Sequence, residues 1–275
     1  MVSNGSTRRL GVASRALASS MVSVFLFTIG GVSQVSEQQA PPTTASPQPG
    51  AGRAQPDPIN FDDHEGWTQI FDGKTLNGWD GSPDVWHVED GDIVGESSAE
   101  HPCGTTNIIW RGGEPANFRL RLEMKLDGAG ANGGVQYRSR IVPPKGRPIP
   151  ADATPEVKQR MEQAQTLVQK RAKWNMAGYQ MDFDFGNRYT GQLYEQSTLR
   201  GIIAWRGQVA ATEPGKKPTL LSTLGNSDDL KVFIKPGEWN QVEIVADGNT
   251  LVHIINGHVM SVLIDTDRSL VQHED

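Results

Sequence analysis

Two aspartates on one face of a predicted strand are the residues of this 275-residue sequence best placed for acid–base chemistry. Within residues 179–185, alternation puts Asp182 and Asp184 on one face and the aromatic and methionine side chains on the other. Two strand positions separate their backbones by roughly 6–7 Å. Carboxylates at this spacing can supply a general acid and a general base, and paired-carboxylate cleavage of a glycosidic bond is geometrically possible.

A second predicted strand, over residues 133–139, carries further polar groups. Gln136 and Arg138 share one face of it. If both strands belong to one sheet, the Arg138 guanidinium can reach either aspartate. Glu195 lies beyond the Gly-Asn turn that follows the aspartate strand and offers a third carboxylate.

Aromatic side chains surround this polar face and indicate a sugar ligand. Carboxylates and amides can bind hydroxyl groups, and Tyr189, Tyr194 and Trp205 can stack on the C–H faces of a sugar ring. The same pattern also fits a solvated outer sheet face with ordinary cross-strand ion pairs, and alternation does not separate the two interpretations. The predicted substrate-binding residues are Asn132, Gln136, Tyr137, Gln180, Tyr189, Tyr194 and Trp205.

We predict no cofactor for this site. The sequence contains neither a glycine-rich phosphate loop nor a G-x-S-x-G motif. Its Asp-Gly and Asn-rich turns leave a divalent cation such as calcium as an alternative, although no EF-hand spacing is present.

Short strands are the elements that must position these residues. Residues 118–126 alternate apolar and polar side chains without an error, which is a strong strand pattern. The Asp-Gly pair at 90–91 predicts a hairpin, and Gly-Asn at 248–249 predicts another. The remaining predicted strands are 133–139, 178–185, 201–205, 231–234, 241–247, 251–255 and 258–264. Many short strands predict an all-β fold, an antiparallel sandwich or jelly roll.

One segment has a helical pattern. Residues 154–173 contain good helix formers, with Thr154 as a candidate cap and Pro155 at the first helical position. The apolar stripe is thin, so we expect an inserted helix that covers one edge of the sandwich.

Composition limits the function further. A formal net charge of −6 argues against a general nucleic-acid binder, and a single cysteine excludes an intrachain disulfide. Hydrophobic residues make up 36 % and charged residues 21 %, a balance typical of a folded domain, which we predict over residues 59–275.

The N-terminal residues predict export. Arg8, Arg9 and Arg15 precede an apolar run at 16–32, and no acidic residue occurs before Glu37, as in a secretory signal. We therefore predict a signal peptide over residues 1–35 and a periplasmic or extracellular protein. The alternative is that the signal segment stays uncleaved and tethers the protein to the envelope. Residues 36–58 are rich in proline and predict a disordered linker.

Several sequence blocks, taken in order, resemble the 3-keto-disaccharide hydrolase family. The first is Gly-Trp-Thr-Gln-Ile-Phe-Asp-Gly at residues 66–73, within a block that extends to residue 79. The others lie at residues 86–95, 117–123, 132–139, 178–182, 189–195, 237–240 and 256–257. The resemblance implies a concanavalin A-like jelly roll, export, and hydrolysis of saccharides whose sugar is oxidised at C3.

The resemblance also implies roles for individual residues. A C3 ketone acidifies the proton on C2, so a base can remove it, the C1 aglycone can leave, and water can then add. Matching positions place Asp182, Asp184 and Glu195 as the acid and base groups and Arg138 as an anchor for an oxyanion or a hydroxyl. A lectin-like carbohydrate-binding module and a conventional endo-glycanase with paired carboxylates remain the alternatives.

The sequence departs from the family near its C-terminus. Family members carry a further strand after the segment that matches Asp265-Thr-Asp267, and here only residues 268–275 follow. By this resemblance we expect the domain to be C-terminally incomplete.

Overall fold

The computed structural model describes residues 20–21, 29–30, 59–98, 100–145 and 148–267. The predicted signal peptide and linker lie outside the described residues, apart from residues 20–21 and 29–30. Within the described ranges, no helix combines the length and apolar character needed to cross a membrane.

Strands are the commonest regular secondary structure in the described chain. They are β1 (Ser20–Met21), β2 (Ile29–Gly30), β3 (Trp67–Thr68), β4 (Trp79–Asp80), β5 (Trp86–Glu89), β6 (Asp92–Gly95), β7 (Ile109–Trp110), β8 (Phe118–Met124), β9 (Ala131–Ile141), β10 (Met176–Asp184), β11 (Leu193–Gln196), β12 (Gly201–Ala204), β13 (Gln208–Thr212), β14 (Thr219–Thr223), β15 (Asn240–Asp247), β16 (Thr250–Ile255) and β17 (His258–Asp265). The helices are α1 (Pro155–Lys170) and α2 (Ser227–Leu230), with 3₁₀ turns at Ala172–Trp174 and Lys231–Phe233.

Two sheets form the sandwich. The first has the order β1-β9-β10-β11-β12, and the second has the order β14-β13-β17-β16-β15-β8. Strand β10 pairs antiparallel with both β9 and β11, and β15 pairs antiparallel with β8 and β16. Parallel pairing occurs between β13 and β17 and between β1 and β9. The predicted all-β, mainly antiparallel sandwich is therefore confirmed.

The core lies between the two sheets and follows the alternation of the strands. Leu120, Leu122 and Met124 on β8 are buried, while the residues between them are more exposed. The Phe118 ring of the second sheet meets the Tyr137 ring of the first edge to face, with centroids 5.9 Å apart. Alternation on one strand thus fixes which side chains enter the core and which face outward.

Specific hydrogen bonds mark both ends of helix α1. Thr154 caps its first turn by accepting a hydrogen bond from the Val157 backbone N–H, and Pro155 occupies the first position, as predicted. No residue of α1 is buried. The next residue, Arg171, is buried and donates to the Cys103 carbonyl at 2.6 Å, which fixes the end of the helix to the sandwich.

The strand predicted over residues 231–234 is wrong. Asn226 accepts a hydrogen bond at 2.8 Å from the Asp228 backbone N–H and so caps α2, and the chain continues into a 3₁₀ turn. Strands β11, β13 and β14 were not predicted. All five residues of β14 are exposed, so this strand lacks the apolar–polar alternation that predicts a strand.

A buried ion network joins the two sheets. Arg200, in the β11–β12 connection, donates to Glu195 Oε1 at 2.6 Å and to Asp265 Oδ2 on β17 at 2.7 Å. Tyr179 and Thr212 donate to the same Asp265 carboxylate. Burial raises the pKa of Asp265, but the hydrogen bonds from Arg200, Thr212 and Tyr179 outweigh it and lower the pKa below its usual value.

Replacing Arg200 by leucine should destabilise the domain by about 3–5 kcal/mol at pH 7, because two buried carboxylates would lose their cation. The low pKa of Asp265 means that its stabilising effect in the native protein is present above the unfolded pKa and is lost as pH falls. The deficit of Arg200→Leu should therefore shrink at acidic pH.

Urea unfolding at pH 7 and at pH 3, below the ordinary aspartate pKa of 3.8, measures both effects. Lys216→Met is the matched control, since the Lys216–Glu213 pair is exposed and worth little. Equal stability of Arg200→Leu and the native protein at pH 7 would contradict the prediction.

Candidate functional site

Asp182 is the centre of a polar cluster on the outer face of the first sheet. It lies on β10 opposite Gly134, and only 8 % of it is exposed. Gln180 Nε2 donates to one carboxylate oxygen and Gln192 Nε2 to the other. A Cβ at Gly134 would lie 2.9 Å from the Gln180 side chain and 2.4 Å from the Met181 carbonyl oxygen. The glycine therefore leaves the space that Gln180 occupies beside Asp182.

The surroundings of Asp182 suit proton transfer near neutral pH. Burial raises the pKa of Asp182 to about 7, against the opposing effect of the hydrogen bonds from Gln192 and Gln180. The nearby Asp184 carboxylate contributes to this rise. A carboxyl group with a pKa near the working pH is an efficient general base in one form and a general acid in the other.

Three glutamines surround this carboxyl group, and we call Gln136, Gln180 and Gln192 the amide cluster. Gln136 lies directly opposite Gln180 in the sheet register and has no exposed surface. Among the described residues, neither the Gln136 amide nitrogen nor its oxygen has a partner, and the Gln180 and Gln192 oxygens also have none. Leaving buried polar atoms without partners is costly, so a polar ligand or water is needed to satisfy them.

Asp184 shares the face of Asp182, as predicted, but its carboxylate organises a loop. Asp184 Oδ1 accepts hydrogen bonds from the backbone N–H groups of Tyr189 at 2.6 Å and Thr190 at 3.0 Å. Its Oδ2 accepts from the Arg188 N–H at 3.0 Å. Both oxygens therefore hold the backbone of residues 188–190.

Glu195 does not join Asp182. The register of β10 and β11 places Glu195 opposite Tyr179, on the core side of the sheet. There it is fully buried and bonded to Arg200. The sequence predicted a common site, but Glu195 follows Gln192 by three positions, so alternation places the two side chains on opposite faces.

The predicted contact between Arg138 and the aspartates is not formed. The pairing of β9 with β10 is irregular between Ala177 and Tyr179, and Arg138 has a positive φ of 46° at this bulge. The Arg138 guanidinium instead donates to the carbonyls of Ala116 and Gly248, each at 2.7 Å.

The predicted substrate-binding residues fall into two groups. Tyr137 points into the core, on the face of β9 opposite to that of Gln136, and its hydroxyl is 2.8 Å from His253 Nε2, so it does not share the polar face with Asp182. The others lie away from the core. In the strand register, Asn132 is opposite Asp184, and both Gln136 and Tyr194 are opposite Gln180. The Tyr189 and Trp205 rings contact each other.

Gln192 belongs to this site but is not among the residues predicted from the sequence. It precedes β11, a strand that the sequence did not predict. The detectable signal was the alternation of Gln192, Leu193, Tyr194 and Glu195, which places the glutamine and the tyrosine on one face.

Metal-binding side chains do not cluster in this region. No group of three or more His, Cys, Asp or Glu side chains suitable for a metal ion occurs in the ranges that the structure describes. The calcium alternative stays an untested prediction.

The sequence comparison decides the family. A family model described as the 3-keto-alpha-glucoside-1,2-lyase-like domain matches residues 66–273. The chain belongs to the 3-keto-alpha-glucoside-1,2-lyase-like family. The resemblance inferred from the sequence blocks is thus confirmed, and the match covers the amide cluster and Asp182.

Two individual proteins are similar to this family member over different lengths. A 3-keto-disaccharide hydrolase from Bacteroides thetaiotaomicron is 35 % identical over 92 residues, which are 31 % of each chain. The match therefore spans about a third of the length of that relative. The crystal structure of a candidate glycosyl hydrolase from Parabacteroides distasonis is 18 % identical, with a TM-score of 0.37 over 71 % of this chain and 70 % of the other.

Asp182→Asn should raise the melting temperature of this family member above pH 7. The folded-state pKa of Asp182, about 7, exceeds the ordinary value of 3.8, so the native protein loses stability as pH rises between these values. An amide cannot ionise and avoids this loss. The advantage of Asp182→Asn should therefore be largest above pH 7 and should shrink as pH falls toward 4.

Thermal unfolding between pH 4 and pH 8.5 tests this dependence. Asp184→Asn is the control, because loss of a charged acceptor for three backbone N–H groups should lower the melting temperature instead. An advantage of Asp182→Asn that does not vary with pH would contradict the assigned pKa.

Proposed function

We propose that this chain is an exported hydrolase of 3-keto-glycosides, 3-keto-disaccharides among them, that acts by elimination followed by hydration. The observation that carries the proposal is Asp182, a buried carboxyl group with a pKa of about 7 among three amides. The family description and the name of the Bacteroides relative support the substrate class. The predicted signal peptide supports export.

Asp182 acts as the base in this proposal. Its carboxylate takes the proton from C2, and the electron pair moves through the C2–C3 bond onto the ketone oxygen to give an enolate. When the ketone re-forms, a C1–C2 double bond forms and the C1–O bond breaks. The aglycone oxygen leaves with the electron pair of the C1–O bond and takes a proton from water, whose hydroxide remains for the next step.

Water then completes the reaction. Its hydroxyl adds to C1 and a proton adds to C2, so the ketone is retained and the net change is hydrolysis of the glycosidic bond. Asp182, now protonated, can return its proton to C2, and a pKa near 7 suits both directions of transfer.

Gln136 takes the role that the family resemblance implies for Arg138. In the amide cluster, the Nε2 groups of Gln180 and Gln192 are bonded to Asp182, whereas no described residue accepts from Gln136 Nε2. We propose that this group donates to the C3 oxygen and stabilises the enolate charge. The unpartnered amide oxygens of the cluster accept hydrogen bonds from sugar hydroxyls.

Turnover of a 3-keto-disaccharide and its unoxidised parent tests the proposed activity. Only the 3-keto substrate should be cleaved, and Asp182→Asn should lower kcat/KM by about 10²-fold or more. For the native protein, kcat/KM should rise as pH increases through about 7, because the base is the carboxylate.

The alternatives predict different results in the same assay. A lectin-like module would bind without forming product, and an endo-glycanase would cleave the unoxidised parent. The second alternative also needs a free second carboxylate, whereas Asp184 is occupied by backbone N–H groups.

Gln136→Leu should lower kcat by about 10²–10³-fold, since it removes the proposed donor to the enolate oxygen. Gln163→Leu, on the exposed side of α1, is the matched control and should keep native kcat. Steady-state kinetics with the 3-keto substrate gives both values. A native kcat for Gln136→Leu would remove the role assigned to this residue.

A further inference from the structure

An aromatic pair stands beside the polar cluster, outside the core. The Tyr189 and Trp205 rings have centroids 6.2 Å apart at an interplanar angle of 35°, and Trp205 is 40 % exposed. The Arg188 guanidinium lies 5.1 Å from the centre of the Tyr189 ring. An exposed tryptophan that packs on a second aromatic ring offers a flat apolar surface of the kind that binds ligands.

Two polar anchors hold this pair in place. Asp184 accepts the Tyr189 backbone N–H at 2.6 Å, which fixes the loop that carries the tyrosine. Arg206, next to Trp205, is 2 % exposed and donates to the carbonyls of Thr190 at 2.6 Å and Asn187 at 3.0 Å. The turn that carries the tryptophan and the loop that carries the tyrosine are therefore bonded to each other.

The same loop connects the aromatic pair to Asp182. The Gly191 N–H donates to the Asp182 carbonyl at 2.8 Å, and the next residue, Gln192, bonds to the Asp182 carboxylate. Asp184, which holds Tyr189, lies two strand positions from Asp182, or roughly 6–7 Å along the backbone. A group attached to the sugar that Asp182 acts on can therefore extend toward the two rings.

We propose that Tyr189 and Trp205 form the leaving-group subsite and determine which aglycones are accepted. The inference rests on the proposed function, in which Asp182 and the amide cluster hold the 3-keto sugar. A flat apolar face stacks on the pair, and either an aryl aglycone or the C–H face of a second pyranose provides one. A small alkyl aglycone provides none.

Three 3-keto-glucosides with phenyl, glucosyl and methyl aglycones test this subsite. The native protein should prefer the phenyl and glucosyl substrates over the methyl substrate in kcat/KM. Trp205→Ala and Tyr189→Ala should each reduce that preference by about 10-fold, mainly through KM. If the two variants lose the kcat/KM preference for only one of the phenyl and glucosyl substrates, that aglycone is the one that the pair binds. Leu199→Ala is the control. It removes an apolar side chain that is 93 % exposed and should keep the native preference.

A preference unchanged in both aromatic variants would overturn the subsite. Calorimetric binding of phenyl glucoside and of the unoxidised disaccharide separates this failure from failure of the proposed function. If no 3-keto-glucoside is cleaved but Trp205→Ala weakens binding, the aromatic pair is a ligand-binding surface and the proposed reaction is wrong. If Trp205→Ala leaves binding unchanged as well, both are wrong.

Discussion

The charge balance around Arg200 is the constraint on which the site depends. One guanidinium pairs with both Glu195 of the first sheet and Asp265 of the second, and all three side chains are largely buried. Because side chains alternate along a strand, fixing Glu195 in the core also fixes the opposite face of β11 and the position of Gln192 that precedes it. The inner ion pair therefore sets the register that brings the Gln192 amide to the Asp182 carboxylate.

The second sheet supports the same loop from the core side. Ser261 Oγ on β17 donates to the Gly191 carbonyl at 2.9 Å. His253 is fully buried beside it, and burial lowers the pKa of His253 to about 3, so the imidazole is neutral at all working pH values. A Cβ at Gly191 would lie 2.8 Å from the Met260 side chain, and its φ is +86°. The backbone next to Gln192 is thus held by packing and hydrogen bonds without an additional charge.

The sequence predicts faces well and registers poorly. Alternation within one strand predicted that Asp182 and Asp184 share a face of β10, and the structure agrees. It could not predict that Glu195 enters the core, because β11 was not recognised and its register with β10 depends on tertiary packing. The bulge that redirects Arg138 also has no period-2 signal, although Gly178 beside it leaves the space that Ser139 occupies. Residues 231–234 were misassigned because apolar residues in a short run fit a strand and a helical turn equally.

The displacement of Arg138 helps to explain why the pKa of Asp182 lies near neutrality. A guanidinium beside a carboxylate favours the charged form and lowers its pKa, which would make Asp182 a weak base. The bulge sends Arg138 to the carbonyls of Ala116 and Gly248, and the neutral amides of Gln180 and Gln192 take the positions around Asp182. These amides orient the carboxylate and offset the effect of burial only in part, so the pKa is about 7. The bulge at Arg138, which the sequence did not predict, therefore leaves Asp182 with the pKa that the proposed base requires.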